Sequence, residues 1–401
     1  MFPGLRRLPP KKMTFARRSH SQPTHNPMKH SLTRVALGAL LSAGLAHAAP
    51  FTGKGVPADA GAFVHIDLDA AGNSILTKTI RELGETSAMA PDEKAAFDKL
   101  KAELGIDPNK DIKDVTVSLA TPAAGAATSP DAMMQEAFTM QVRGKFDQAK
   151  LLAIPKNHPE VKANKLGKHT WFSVSDLDKA FGDKGKAKTG NGKKPEGCVC
   201  PVDSSTILVA ADVKGLTRAL DAFNGKGAYK ADAKAAKALA GNPFVAAYFS
   251  EAFVAAAQAG KPKAPAAEGE EAAPELKSLV FSLGETAGKL KLAVDAKMNS
   301  AAAATQVQAQ LAMFQGFAQM GMSQSKPDDS AQEKADKAFG LSVVQALKIA
   351  AVEDSITADF AYPAEKLAAK LREKKDDIAK AVQQQKRAAV GAPAPAAEAD
   401  E

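Results

Sequence analysis

IKDVTVSLATP, residues 112–122, alternates apolar and polar side chains with the period of two that turns one face of a β-strand toward a core. LKSLVFSLGET, residues 276–286, carries nearly the same text. Working outward from each copy, the flanking segments recur as well. AFVHIDLDA (62–70) matches PFVAAYFSEA (243–252), which sets Phe63, Val64 and Leu68 on Phe244, Val245 and Phe249. MQVRGKFD (140–147) matches LAVDAKMN (292–299), with Val142 on Val294, Lys145 on Lys297, and Asp147 on Asn299 as helix-capping residues. DSSTILVAADVKGLTRAL (203–220) matches DSITADFAYPAEKLAAKL (354–371), with Leu216 and Leu220 on Leu367 and Leu371. Five elements in one order predict a unit that occurs twice, by duplication.

Clean alternation, and strand connections too short for βαβ crossovers, predict antiparallel pairing. The expected fold is therefore α+β: two tandem units, each a mainly antiparallel sheet with helices packed on one face. SILTKTIRELG, DEKAAFDKLKAELG, FDQAKLLA and KGLTRALDAF have helical apolar spacing, and HTWFSV, CVCPV and STILVAAD read as further strands. The expected boundaries are a leader and signal peptide over 1–48, a first unit over 49–240, a second over 241–375 and a solvated tail over 376–401. TPAAGAATSPDA, DKGKAKTGNGKKPEG and GKPKAPAAEGEEAAPE read as connectors.

The 401 residues carry 53 Lys and Arg against 45 Asp and Glu, a formal charge of +8. The excess is local. Arg6, Arg7, Lys11, Lys12, Arg17, Arg18, Lys29 and Arg34 all fall within residues 1–48, where there is no acidic residue, so the remainder carries 45 of each sign. A neutral body with one Trp and three Tyr offers neither clustered cations nor stacking surfaces, so no nucleic-acid partner is expected. Within the leader, MKHSLTR (28–34) is a basic n-region, VALGALLSAGLA (35–46) a short apolar h-region and Ala46-His47-Ala48 a cleavage pattern. These predict export from a natural start at Met28, a mature chain beginning at Ala49, and no transmembrane anchor after cleavage. The expected location is the periplasm or the exterior.

The candidate chemistry is sparse. Along 62–70, alternation puts His65, Asp67 and Asp69 on one strand face, a set that could hold a divalent metal or form an acid/base pair. The competing reading is a polar, solvent-facing strand surface, and it is favoured because the matching positions carry Ala246, Tyr248 and Ser250. DPNKDI (107–112) begins like a calcium loop but has Ile112 where Gly is needed and Ser118 in place of the bidentate Glu. Cys198 and Cys200 stand two apart on one strand, poor disulfide geometry, and align with Ile349 and Ala351, so they read as core fillers. In the exported part the histidines are His65, His158 and His169, a thin supply for zinc or a catalytic triad, and no nucleophile elbow, phosphate loop or dinucleotide fingerprint is present. LAMFQGFAQMGMS (311–323) has helical spacing that predicts core packing, with a greasy ligand groove or partner surface as the alternative.

The signal peptide, the paired strands VTVSLA and LVFSLG and the junctions VRGKFD and VDAKMN resemble uncharacterised exported bacterial proteins built from duplicated α+β units. That resemblance implies no catalytic residues and no cofactor. The expected function is a non-catalytic binding or envelope-associated protein with an envelope or secreted protein partner. The alternatives are a periplasmic carrier of an apolar ligand, or an exported metal-dependent hydrolase centred on His65, Asp67 and Asp69.

Overall fold

The computed structural model describes residues 51, 53–84, 98, 101–122, 138–175, 197–240, 243–259, 273–324, 326–377 and 380. The signal peptide, most of each of the three connectors, most of DEKAAFDKLKAELG and nearly all of the tail lie outside them.

Among the described residues twelve strands form one antiparallel sheet. They are β1 (Ala60–Asp67), β2 (Ile112–Ala120), β3 (Phe138–Gly144), β4 (Asn164–Leu166), β5 (His169–Ser173), β6 (Cys198–Asp203), β7 (Thr206–Ala210), β8 (Val245–Phe249), β9 (Leu276–Thr286), β10 (Lys289–Met298), β11 (Leu347–Val352) and β12 (Ser355–Pro363). Across the sheet the order is β11-β12-β10-β9-β8-β1-β2-β3-β7-β6-β5-β4. The halves therefore share one sheet, joined at its centre where β1 pairs with β8. His65 stands opposite Ala246 and Phe63 opposite Tyr248, and the Asp67 amide donates to the Phe244 carbonyl at 2.9 Å.

Outward from that centre, β1-β2-β3-β7-β6 on one side and β8-β9-β10-β12-β11 on the other follow the same order. The pairing also shows where the text match slips. Phe63 faces Ser118, whereas Val245 faces Leu283, so continuing from Phe244 reaches Gly284. Taking Phe63 as the match for Phe244, the position facing it moves from Ser118 to Gly284, two residues beyond the Ser282 that the strand texts align. A slip of two leaves every side chain on its original face, which is why the alternation hides it.

Eleven helices of the described residues clothe the sheet: α1 (Leu68–Asn73), α2 (Ile75–Gly84), α3 (Pro108–Asp111), α4 (Gln148–Leu152), α5 (Ile154–Asn157), α6 (Val213–Phe223), α7 (Ala233–Leu239), α8 (Glu251–Gln258), α9 (Ala301–Ser323), α10 (Ala331–Gln345) and α11 (Ala364–Glu373). In the first half they cover both faces. Leu208 of β7 packs with Cys198, Cys200 and the Leu216 and Leu220 of α6, while its neighbour Ile207 packs from the opposite face with Leu151 and Ile154 of α4 and α5. In the second half, α9 lays Ala303, Ala304 and Val307 on Met298, Ile349 and Ile356. The other face of β10 and β12 carries Lys289, Lys291, Asp359 and Ala361, all exposed. α11 accordingly does not copy α6. It packs against α2, and its Lys370 pairs with Asp336 of α10.

Local capping explains several element starts. Asp147 caps α4 by accepting from the Lys150 amide at 3.0 Å, and Asp212 caps α6 through the Gly215 amide at 2.6 Å. At the matching junction in the second half, Ser300 rather than Asn299 caps α9, accepting from the Ala303 amide at 3.0 Å. Asn299 instead accepts from the Glu275 amide and donates to the Ala273 carbonyl, tying the start of β9 to the end of β10.

Candidate functional site

The alternation that groups His65 with Asp67 is real, but the face it fills points inward. His65 and Asp67 are each 3% exposed, and the solvent-facing reading of this face does not hold. On the β1-β2-β3 side the row across the sheet is polar: His65 stands opposite Thr116, which stands opposite Gln141. His65 Nδ1 and Thr116 Oγ1 are hydrogen-bonded at 2.9 Å. Phe51, at the start of the described chain, lies edge-on to the imidazole at 5.4 Å and stacks on Phe63 at 5.0 Å. The segment after Phe51 is held down by the Tyr229 amide, which donates to the Val56 carbonyl, and by Gly55, whose φ of +87° brings its backbone onto Gln141. A Cβ at Gly55 would sit 2.7 Å from Gln141 Nε2, so this lid needs glycine there.

The next row holds Asp67, Asp114 and Arg143. Asp67 ends β1 and becomes the N-cap of α1, accepting from the Ala70 amide at 2.8 Å. Asp69 therefore belongs to a helix, and the strand periodicity that joined it to His65 stops one residue before it begins. Asp114 is 1% exposed; its Oδ1 accepts from Arg143 Nε at 2.7 Å, while Oδ2, like Oδ2 of Asp69, has no hydrogen-bond partner among the described residues.

Burial dominates the titration of the group. It pushes His65 down to about 4, helped by the Arg143 charge, so the imidazole is neutral at pH 7. It pushes Asp67 up to about 6 against the opposing hydrogen bond from Ala70, and raises Asp114 despite Arg143. Asp69 is also raised by burial, with Lys113 pulling the other way. Among the described residues, no group of three or more His, Cys, Asp or Glu is gathered in a way that could hold a metal ion. His65 Nδ1 is engaged in a cross-strand bond and Asp67 Oδ1 in a helix cap. That arrangement specifies register and orders the lid.

Cys198 and Cys200 are 0% exposed in the cluster under α6, and burial, reinforced by Cys198, pushes the Cys200 thiol up to about 12. A pocket among the described residues, lined by Lys237, Val280, Ser282, Asp295, Thr357 and Asp359, measures about 60 Å³. Drug-sized ligands occupy roughly 300–1,000 Å³.

The apolar run 311–323 provides the opposite surprise. α9 meets the sheet through small residues near its start, and farther along it lies against α10, where Gln315 Nε2 donates to the Val344 and Leu347 carbonyls and Met322 abuts Gly340. The large side chains turn away: Phe314 is 65% exposed, Phe317 59%, Met320 52%, Met313 51% and Leu311 38%. The expectation that these residues fill the core is corrected, because Ala303, Ala304, Gln315 and Met322 make the inward contacts. From Met298 to Ser325 the chain carries no charge at all. No helix of the described residues is long and apolar enough to cross a membrane.

No protein-family model and no curated protein matches the chain. Among solved structures, crystal form I of TP0453 is similar at 13% identity and a TM-score of 0.36, covering 81% of this chain and 96% of that one. Crystal form III of the same protein gives 12% identity and a TM-score of 0.38, with 81% and 98% covered.

Proposed function

We propose that the chain is an exported, non-catalytic binding protein of the periplasm or exterior, that its halves over 49–240 and 241–375 descend from one duplicated unit, and that it acts through the outer face of α9. The observation that carries this reading is the inversion of the usual placement: five large apolar side chains stand outside while histidine and carboxylates stand inside. Single exposed apolar residues are ordinary, but Met313, Phe314, Phe317 and Met320 fall within about 120° of one another around α9 and form a patch of a few hundred Å², the size that marks functional surfaces. The basic n-region, apolar run and Ala-His-Ala pattern support export. Against a hydrolase centred on His65, Asp67 and Asp69 stand the cross-strand bond of His65, the capping bond of Asp67 and the position of Asp69 in α1 rather than on the strand.

The test is a photo-reactive amino acid placed at Phe317, or at exposed Lys291 on the other face as control, in the protein expressed in its own envelope. Position 317 should give covalent adducts and position 291 none. Absence of adducts from 317, or equal adducts from both, would refute the reading.

A further inference from the structure

We propose that the outer face of α9 pairs with the same face of a second copy of this chain, antiparallel about Phe317. The inference rests on the reading of that face as a binding surface and names its occupant. On a helix, Met313, Phe317 and Met320 fall at i, i+4 and i+7 and share a stripe, with Phe314 and Gly321 beside it. An isologous contact brings every residue near its two-fold axis against itself or its symmetry mate, so any charge there meets a like charge. α9 and its flanks are free of charge from Met298 to Ser325, which removes that penalty.

The geometry of the stripe fits the same operation. An antiparallel two-fold at Phe317 keeps each residue on its own flank of the seam, so it sets Met313 of one copy beside Met320 of the other, and Phe314 beside Gly321. Gly321 has nothing within 4 Å of where a Cβ would lie, so its side is open to receive a large side chain. Glycine in a helix interior costs about 1 kcal/mol relative to alanine, and close approach of a second helix is a reason to retain it. The two exposed Phe rings alone offer on the order of 100 Å² each, and with Met313 and Met320 they supply roughly half of the ~800 Å² that one partner buries in a standard interface, the proportion expected of an apolar centre with a polar rim.

A lipid surface is the other apolar occupant to weigh. Helices that lie in a membrane interface combine their apolar face with Lys or Arg that meet anionic headgroups. α9 has none, and the body of the chain carries 45 residues of each sign. The charge-free helix thus matches a copy of itself better than a headgroup layer.

Sedimentation velocity of the mature chain across micromolar concentrations should show a reversible monomer–dimer equilibrium. Phe317→Glu places like charges on the axis and should weaken the dimer by about a hundredfold or more. Phe317→Lys should do the same, and an equimolar mixture of the two variants should sediment as dimer again. Because Phe317 is exposed, both variants should unfold at the parent's temperature when dilute, which separates lost pairing from lost folding. A parent that stays monomeric, variants that still dimerise, or a mixture that fails to recover would each overturn the proposal. A monomeric parent that floats with neutral phosphatidylcholine vesicles, or that cross-links to a different protein through position 317, would overturn the second-copy assignment while leaving the binding face intact. Failure of the cross-linking at 317 would remove both.

Discussion

Replacing Asp67 with Asn should make stability depend on pH in the direction opposite to replacing His65 with Gln. Asp67 titrates at about 6 in the fold and near 3.8 when unfolded, so the folded state favours its protonated form. Its contribution is fully present below pH 3.8 and is lost as pH rises through 6. His65 titrates at about 4 in the fold and near 6.5 unfolded, so its contribution is present above 6.5 and is lost as pH falls through 4. Each shift spans about two units, an upper bound near 3 kcal/mol at 1.36 kcal/mol per unit, and relaxation around the buried groups reduces this to about 1–3 kcal/mol. In the parent the two slopes oppose one another between pH 4 and 6. Asp67→Asn keeps a cap for Ala70 and removes one slope; relative to the parent, its stability should rise by that amount between pH 4 and 6.5. His65→Gln keeps a partner for Thr116, and its relative stability should fall over the same range. Urea unfolding at a series of pH values reads both. Difference curves flat to within about 0.5 kcal/mol, or of the same sign, would show that the two side chains are not buried as described.

Other consequences follow from individual contacts. Leu216→Ala removes a side chain 0% exposed between α6 and β7 and should cost about 2–5 kcal/mol in denaturant unfolding. Gly55→Ala meets both a positive φ and Gln141 at 2.7 Å, and should lower stability by about 1 kcal/mol or more, with Phe51 becoming accessible to quenchers. Ser300→Ala deletes the cap on the Ala303 amide and should cost about 1 kcal/mol, seen as earlier loss of helical circular dichroism. Cys198 and Cys200 should resist thiol reagents in the native state and react only on unfolding, because both are fully buried and burial also pushes the Cys200 pKa up.

The strands were legible because period-two alternation survives whichever face is buried. IKDVTVSLA and LKSLVFSLG are β2 and β9, and HTWFS and TILVA are β5 and β7. What alternation cannot carry is the identity of the covering layer. Whether His65 meets water or protein depends on Phe51 lying against it, with the distant Tyr229 packed on Phe51 and Phe63, and no local pattern encodes that closure. Asp69 was grouped with His65 because strand and helix periods agree over so short a span, while the helix cap at Asp67 is visible only in the backbone turn. The reading of 311–323 failed for a related reason. Helical spacing shows that large residues share a side, but Ala303, Ala304 and Gln315 make the inward contacts, and an alanine face carries little hydrophobic signal. The duplicated order of strands was readable as text, whereas the departure of α11 from α6 follows from Asp359 and Ala361 standing where α6's neighbours Leu208 and Ala210 stand.

The central claim is that the polar row faces inward and the apolar row outward, and thiol labelling tests it most directly. Single cysteines at Thr116, 3% exposed, and at Phe317, 59% exposed, are compared in native protein at nanomolar concentration, with Cys198 and Cys200 left in their buried cluster. The structure predicts that the thiol at 317 reacts at close to the rate of an unfolded peptide while the thiol at 116 reacts only through unfolding. Rapid labelling at 116 together with protection at 317 in dilute monomer would contradict it.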